Sequence, residues 1–436
     1  MSRTGTDPYL PGHGDVSWTV SHYDLDLGYK LIGNRLDGDA TLSCQARADI
    51  SAMEVDLAGL RPSKVFVDGR TVRFTHRGER LKVTLGRQLQ AGTDFTLRVR
   101  YAGTPRPTPS KHFDTAGWEE LEDGVIVAAQ PHGAPTWFPC NDRPDDKATY
   151  TVRLAAPNDY HVAISGELLG KRRAGSSTTW HYEMRHPMPT YLATVQIGRY
   201  EVLEQATSPV PVRVVAPVDR PRDGFQGAFG DQPRMVAFFS ERFGPYPFDS
   251  YTAVITDDEL EIPLESQALS TFGRNFMEDD WGCIRLVAHE LAHQWFGNAV
   301  TLRAWRDIWL HEGFACYAEW LWSEESGVQS VADRAAHHHA KVTGDHGPPL
   351  VLGDPGPELM FDDRVYKRGA LTLHALRTTV GDELFFEVLR TWVADHAGGN
   401  VTTVDFVAHA EAVTGHDLAA FFEAWLFEVA LPALPT

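Results

Sequence analysis

Two histidines and a glutamate near the middle of the chain have the spacing of a catalytic metal site. His289 and His293 are four residues apart, Glu290 follows the first of them, and eighteen residues separate His293 from Glu312. On a helix, residues i and i+4 lie on one face, so both imidazoles can bind the same ion. Two histidines and one carboxylate leave a fourth coordination position open, which is typical of catalytic zinc.

The chemistry that this pattern predicts is metal-assisted hydrolysis of an amide. Bound zinc lowers the pKa of water to about 7, and Glu290 is the candidate general base for the attack on a carbonyl. An isolated His-Glu-x-x-His pentapeptide also arises by chance, in which case its residues are only structural. Glu312 and the helical periodicity of the flanking residues favour the metal site.

Two apolar helices are predicted to position these side chains. The apolar residues that recur at helical spacing around the histidines are Ile284, Val287, Ala288, Leu291, Ala292 and Trp295. They predict a buried helix over Trp281–Trp295. A second apolar helix, from Trp309 to about Trp322, carries Glu312 near its start. Rigid elements on both sides are therefore expected to hold the site.

Further motifs extend the pattern over most of the chain. They are Gln130, Phe138–Pro144, Lys147–Tyr150, Phe243–Phe248, Gln294–Asn298, Trp309–Ala315 and Tyr366–Ala370. Together they resemble the gluzincin aminopeptidases, the family of aminopeptidase N and leukotriene hydrolase. The resemblance implies a zinc enzyme that removes single residues from the N-terminus of peptides.

The resemblance also implies roles for individual residues. One zinc ion per chain would lie on His289, His293 and Glu312, with Glu290 as the base. Tyr366 would donate a hydrogen bond to the tetrahedral oxyanion, a position where acyl-transfer chemistry needs a donor. Without the family context, a tyrosine in this apolar segment is more often a core or surface residue.

An exopeptidase needs an anionic group that holds the protonated amine of its substrate. Glu265 is the candidate, and Gln130 falls where the family places a polar residue of the first substrate subsite. The family usually has Gly-x-Met-Glu-Asn where this chain has Ile262–Ser266. Ile262 and Pro263 add bulk and restrict the backbone, so the subsite is expected to have an unusual shape.

Two residues close to the predicted zinc ligands are further candidates. His311 stands where the family commonly has asparagine, and its imidazole either tunes the metal site or is a satisfied structural histidine. The structural interpretation is favoured. Glu319, seven residues after Glu312 on the same helical face, is predicted to hydrogen-bond a zinc ligand.

The chain length predicts two domains, an α+β multidomain fold divided at 1–204 and 205–436. The first part has alternating strand patterns, at Tyr23/Leu25/Leu27, Leu81/Val83/Leu85 and Phe95/Leu97/Val99/Tyr101. The second part is dominated by helical patterns. The resemblance implies an antiparallel, saddle-like β domain followed by a thermolysin-like, mainly helical catalytic domain, with the site between them. Many family members continue into a helical domain that covers this cleft, so a short form with a more open site is expected.

Composition excludes several classes of function. The formal charge of -19 argues against nucleic acid or anionic membrane as partners. No apolar run is long enough to span a bilayer, and the N-terminus lacks the layout of a signal peptide. Four scattered cysteines form no disulfide framework. We therefore expect a cytoplasmic protein; the sequence does not determine its oligomeric state.

The function predicted from the sequence is that of a zinc aminopeptidase acting on peptides with a free N-terminus. Two alternatives remain open. The altered loop at Glu265 and an open cleft would also suit an endopeptidase of the same chemistry. A non-catalytic peptide-binding module that kept its metal is the second alternative, although structural zinc needs neither Glu290 nor Tyr366.

Overall fold

The N-terminal half of the protein consists of β-sheets. The structure, a computed structural model, describes residues 7–110, 112, 114–218 and 227–435. The N-terminal strands are β1 (Trp18–Lys30), β2 (Arg35–Ala46), β3 (Ile50–Asp56), β4 (Leu60–Val67), β5 (Arg70–Thr71), β6 (Arg73–Arg77), β7 (Arg80–Leu89), β8 (Asp94–Gly103), β9 (Thr108–Pro109), β10 (Thr115–Leu121), β11 (Gly124–Ala128), β12 (Ala148–Pro157), β13 (His161–Ile164), β14 (Glu167–Ala174), β15 (Ser177–Met188) and β16 (Val195–Gly198).

These strands form a large sheet with two smaller ones beside it. The large sheet has the order β14-β15-β12-β1-β2-β8-β4-β5, and the smaller sheets have the orders β13-β16-β11-β10-β9 and β3-β7-β6. Neighbouring strands are antiparallel except β1 and β12, which run parallel. The apolar residues that predicted β1, β7 and β8 from their alternation are all buried, because one face of each strand packs on the core.

The second half is mainly helical, as predicted. Its elements are β17 (Tyr200–Ala206), β18 (Val212–Pro217), α1 (Gln232–Phe243), β19 (Tyr251–Ile255), β20 (Leu269–Phe272), α2 (Trp281–Ala292), β21 (Thr301–Leu302), α3 (Trp309–Glu325), α4 (Val331–Thr343), α5 (Asp363–Val380), α6 (Asp382–His396), β22 (Asn400–Val401), α7 (Thr403–Thr414) and α8 (Ala419–Phe422), followed by a π-helical turn at Glu423–Phe427. β17 spans the expected boundary at residue 204 and pairs with β18. The division at that residue therefore stays a prediction.

The predicted helices at the site are present with small differences in length. Helix α2 ends at Ala292 rather than Trp295, because the backbone N–H groups of Gln294 and Trp295 bond three residues back and Gly297 takes a φ of +128°. Helix α3 runs beyond the predicted end to Glu325. Both helices are buried around the predicted ligands, which fixes where those side chains lie.

The two halves of the chain contact each other directly beside the site. The buried ammonium of Lys147 donates hydrogen bonds to the carbonyl oxygens of Asn298 and Ala299, at 3.1 and 3.0 Å. Burial lowers the pKa of Lys147 to about 7. The carboxamide of Gln196 donates to the hydroxyl of Thr271 at 2.9 Å. These contacts fix the N-terminal half against β20 and against the loop that follows α2.

Helices α3 and α5 cross at a pair of glycines next to the site. A Cβ added to Gly369 would lie 2.6 Å from the Cα of Gly313, and one added to Gly313 would lie 2.7 Å from the Cα of Gly369. Backbone approaches as close as this exclude any side chain. Since Glu312 and Tyr366 lie on either side of this crossing, it sets the distance between them.

We expect Gly369→Ala to destabilise the protein by about 1–3 kcal/mol, because the added methyl group forces the two helices apart. Differential scanning calorimetry should show a lower Tm, together with reduced activity as Tyr366 moves away from Glu312. Gly170→Ala is the matched control, since a Cβ at Gly170 meets nothing within 4 Å. Equal Tm values for the two variants would contradict the importance of the crossing.

Candidate active site

The predicted metal ligands lie together at the junction of α2 and α3. Among the described residues, His289, His293 and Glu312 form the one group of ligand-type side chains close enough to hold an ion, with their ligand atoms within 4.8 Å of one another. Glu312 Oε2 lies 3.3 Å from His289 Nε2 and 3.4 Å from His293 Nε2. The i, i+4 spacing on α2 therefore places the two imidazoles as the sequence predicted.

Hydrogen bonds on the far side of each ring orient the two imidazoles. His289 Nδ1 lies 2.8 Å from Glu319 Oε1, and His293 Nδ1 lies 3.0 Å from the carbonyl oxygen of Phe296. A hydrogen on each Nδ1 leaves the Nε2 lone pairs directed towards Glu312. The predicted contact of Glu319 with His289 is thus confirmed. Phe296, which the sequence did not single out for this role, orients the other ring.

The charges around the site favour a cation. Glu265, Glu290, Glu312 and Glu319 are all buried, with exposed fractions of 6%, 4%, 3% and 3%. Burial alone would raise the pKa of Glu312, but the imidazoles of His293 and His289 outweigh it and hold that pKa below its usual range. Burying several carboxylates is costly unless positive charge compensates them. The donor set and its surroundings thus fit a zinc ion on His289, His293 and Glu312.

Glu319→Gln is expected to weaken zinc binding by about 10- to 100-fold, because the amide supports the His289 imidazole less well than a carboxylate does. Competition with a chelator of known affinity measures the change directly. Glu325→Gln, at the exposed end of the same helix, removes an equal charge and is expected to bind zinc like the unchanged protein. An unchanged affinity in Glu319→Gln would contradict the supporting role of the hydrogen bond.

Glu290 and Tyr366 flank the metal group. Burial raises the pKa of the Glu290 carboxyl above its ordinary range, although the two nearby imidazoles act in the opposite direction. The Tyr366 ring stacks on His289, with ring centroids 5.9 Å apart and planes 23° from parallel. Burial, followed by the charges of Glu312 and Glu265, raises the pKa of its phenol well above 10. Tyr366 therefore keeps its proton and can donate a hydrogen bond.

The loop that carries Glu265 is held in place by the residues after α2. The carboxamide of Asn298 donates to the carbonyl oxygen of Glu265 at 2.6 Å, and Gln294 Oε1 accepts from the N–H of Ala268 at 2.8 Å. Ala268 has a φ of +60°, a conformation that alanine rarely adopts. Gln294 and Asn298 belong to the motif that carried the resemblance, but their function as loop supports becomes visible only in the tertiary structure.

Gln130 comes from the β domain and meets Glu265 across the cleft. Its Nε2 donates to Glu265 Oε1 at 2.6 Å, although 135 residues separate the two in sequence. Burial raises the pKa of the Glu265 carboxyl, and the nearby imidazole of His293 acts against this shift. A side chain from each domain therefore lines one end of the site, as the resemblance implied.

The site opens into a cavity of about 270 Å³. All seven residues predicted for the site line it, and so do Ile262 and Pro263 of the altered loop. The sequence did not single out three further charged or aromatic residues of the lining, namely Arg285, Phe361 and Asp363, and it named Lys367 only as part of the motif Tyr366–Ala370. Arg285 has a signal that could have found it, since it stands four residues before His289 on the same helical face.

The prediction that His311 is a satisfied structural histidine is confirmed for Nε2 only, since its buried Nδ1 has no hydrogen-bond partner among the described residues. Its Nε2 accepts a hydrogen bond from the backbone N–H of Leu302 at 2.8 Å. Burial lowers its pKa to about 3, with a further contribution from the neighbouring His293. The ring is therefore neutral and serves to fix the loop before α3.

The fold and the site match one family of known two-domain proteins. Residues 19–192 match the model of the peptidase M1 N-terminal domain, and residues 228–425 match that of the peptidase family M1 domain. A crystal structure of an M1 zinc metallopeptidase mutant from Deinococcus radiodurans, bound to a Tyr-Ser-Ala substrate, is 33% identical and superposes with a TM-score of 0.89, covering 99% of each chain. The chain belongs to the M1 peptidase family, which confirms the predicted gluzincin relationship and the two-part fold.

Curated relatives agree in family but are longer. Aminopeptidase M1 of Arabidopsis thaliana is 26% identical over 475 residues, which cover 100% of this chain and 52% of the relative. Aminopeptidase M1-D of Oryza sativa subsp. japonica is 25% identical over 451 residues, covering 94% of this chain and 50% of the relative. The chain thus spans about half the length of these curated relatives.

Proposed function

We propose that this protein is a zinc-dependent aminopeptidase that hydrolyses the N-terminal peptide bond of peptides. The observation that carries the proposal is the buried Glu265 carboxylate, bonded to Gln130 and lining the same cavity as His289, His293 and Glu312. A buried anion at this position can bind the protonated amine of a peptide and so place the first carbonyl at the metal. The aminopeptidase names of the curated relatives support this activity.

In the proposed mechanism each residue has one task. His289, His293 and Glu312 hold the zinc ion, which when bound acts as a Lewis acid for the scissile carbonyl and for water. Glu290 accepts the proton of the attacking water and later returns it to the leaving amine. The protonated Tyr366 phenol donates a hydrogen bond to the oxyanion that forms on the carbonyl oxygen.

The substrates would be peptides with a free N-terminus. The solved relative from Deinococcus radiodurans was crystallised with the tripeptide Tyr-Ser-Ala, which supports peptide binding in a scaffold of this kind. Two features of the cleft would also suit an endopeptidase. The Ile262 side chain at its rim is 63% exposed, and the Glu265 loop departs from the family pattern. A peptide with a blocked N-terminus distinguishes the two activities.

We propose a cytoplasmic location. All four cysteines, Cys44, Cys140, Cys283 and Cys316, are free and buried, which supports a reducing compartment. Among the described helices, none is long and apolar enough to cross a bilayer. The charge of -19 makes nucleic acid and anionic membranes unfavourable partners.

The proposal is tested by offering one short peptide to the zinc-loaded protein with a free and with an acetylated N-terminus. We expect the protein to release single N-terminal residues from the free peptide only. Mass spectrometry identifies the products. Internal cleavage of both peptides would make the protein an endopeptidase. Cleavage of neither, with zinc bound, would contradict enzymatic activity on peptides and favour a binding module.

A further inference from the structure

The active-site cavity has a carboxylate, Glu265, at one end and a guanidinium, Arg285, at the other. Glu265 lies beyond the C-terminal end of α2, because its loop is bonded to Gln294 and Asn298. Arg285 lines the same cavity from the opposite, N-terminal end of α2. Arg285 and His293 are eight residues apart, which is about 12 Å along the helix axis. A peptide held by its amine at Glu265 would therefore extend towards Arg285.

Arg285 is available to a ligand. Its side chain is 36% exposed, and Nη1 makes an ion pair with Glu319 Oε2 at 3.3 Å. That contact leaves the other N–H groups of the guanidinium without a hydrogen-bond partner in the part of the chain that the structure describes. A guanidinium offers five N–H donors in a planar fork that matches a carboxylate.

Two cations, Arg285 and Lys367, line this cavity together with the carboxylates Glu265, Glu290, Glu312, Glu319 and Asp363. Arg334 and Lys367 lie close enough to act electrostatically on the same Glu319. Asp363, an exposed carboxylate of the same lining, is paired with Lys341 at 2.9 Å and with Lys367 at 3.8 Å. Lys367 itself is buried, with its Nζ 3.4 Å from the Cys316 thiol. Arg285 is thus the cation that a bound anion can reach.

The distance suits a short peptide. Each extended residue spans about 3.3–3.6 Å, so the carboxylate of a tripeptide lies about 7 Å beyond its first carbonyl. Arg285 precedes His289 by four residues, which is about 6 Å along the axis. A tripeptide with free ends is positive at one terminus and negative at the other, so its termini match Glu265 and Arg285.

We propose that Arg285 binds the C-terminal carboxylate of short peptides and so directs the enzyme towards tripeptides. This inference rests on the proposed function, because Glu265 must hold the amine for the register to be defined. Arg285 is a specificity residue in this arrangement and takes no part in bond cleavage. The group that Arg285 recognises is a carboxylate. An acidic side chain near the second residue of the peptide could also supply one, and the experiments distinguish it from the C-terminal carboxylate.

The binding test uses zinc-loaded protein with Glu290→Gln, so that no turnover is needed. Calorimetry compares Ala-Ala-Ala with its C-terminal amide, which lacks the negative charge. We expect the free acid to bind about 10-fold more tightly than the amide, as one charge-assisted contact predicts. Adding Arg285→Gln should make the two affinities equal, and adding Arg285→Lys should restore part of the preference.

The matched control is Lys341→Gln. Lys341 is paired with Asp363 but does not line the cavity, so this variant removes one nearby positive charge and should keep the preference for the free acid over the amide. Equal affinities for acid and amide before any change at Arg285, or a preference that survives Arg285→Gln, would overturn the inference. So would loss of the preference in Lys341→Gln, which would indicate a general field rather than a contact.

The second source of a carboxylate is tested with amidated peptides. Ala-Asp-Ala-amide and Ala-Asn-Ala-amide differ only in one side-chain carboxylate. If Arg285 makes the first of them bind more tightly, and the C-terminus has no effect on affinity, then Arg285 binds a side-chain carboxylate. That result would overturn the proposal for the C-terminal carboxylate. Turnover is then measured with Glu290 restored. If the tripeptide binds through Arg285 but is not cleaved, the proposed aminopeptidase activity fails while the binding site stands.

Discussion

Glu290→Gln is expected to lower kcat by about 10²- to 10⁴-fold and to leave zinc content and peptide affinity close to those of the unchanged protein. Glutamine has nearly the same shape but cannot accept the proton of the attacking water. Because Glu290 is buried next to the metal group, few other side chains can replace it. Steady-state kinetics on a free tripeptide, together with zinc analysis of the same sample, measures both quantities.

The control for this variant is a neutral exchange elsewhere on the protein. Glu324→Gln, on an exposed position of α3, has the same change in charge and is expected to keep full activity. A Glu290→Gln protein could instead retain more than about a tenth of the activity with its zinc in place. The loss in kcat would then be smaller than a general base usually contributes. Another group would then have to act as the base.

Glu265→Gln is expected to reduce kcat/KM for free tripeptides by about 100-fold, because the protonated amine then loses its anionic partner in a buried site. Most of this loss should depend on the charge of the substrate amine. Comparing kcat/KM for a free and an acetylated peptide, in the unchanged protein and in the variant, separates the amine contact from other effects. The effects of Glu265→Gln and of acetylating the substrate on kcat/KM should not add, since each change removes the same contact between the amine and Glu265.

Glu261→Gln provides the matched control for Glu265. It lies in the same loop and carries the same charge, but its side chain is exposed. We expect it to behave like the unchanged protein. A Glu265→Gln variant that cleaved free and acetylated peptides in the original ratio would show that Glu265 does not bind the amine.

Much of the site could be predicted from local sequence because it depends on helical geometry. The i, i+4 spacing of His289 and His293 places both rings on one face of any helix that forms there. Glu319, one heptad after Glu312, was predicted in the same way to reach a ligand histidine. The strands around Tyr23, Leu81 and Phe95 followed from period-two burial, which is equally local.

The contacts that join distant segments could not be predicted from local patterns. The bond between Gln130 and Glu265 links residues 135 positions apart, and only the docking of the β domain brings them together. The end of α2 at Ala292 is set by the turn at Gly297, which overrides the apolar periodicity through Trp295.

The sequence by itself determined the family and predicted the metal-binding group and the base, because these are defined by residue type and by spacing within single helices. The tertiary structure decided how the cavity is closed and charged. It brought Gly313 against Gly369, placed Gln130 beside Glu265, and left Arg285 exposed at the far end of the cleft. The physical reason is that backbone geometry fixes neighbours within a helix, whereas contacts between elements depend on how all the buried surfaces pack at once.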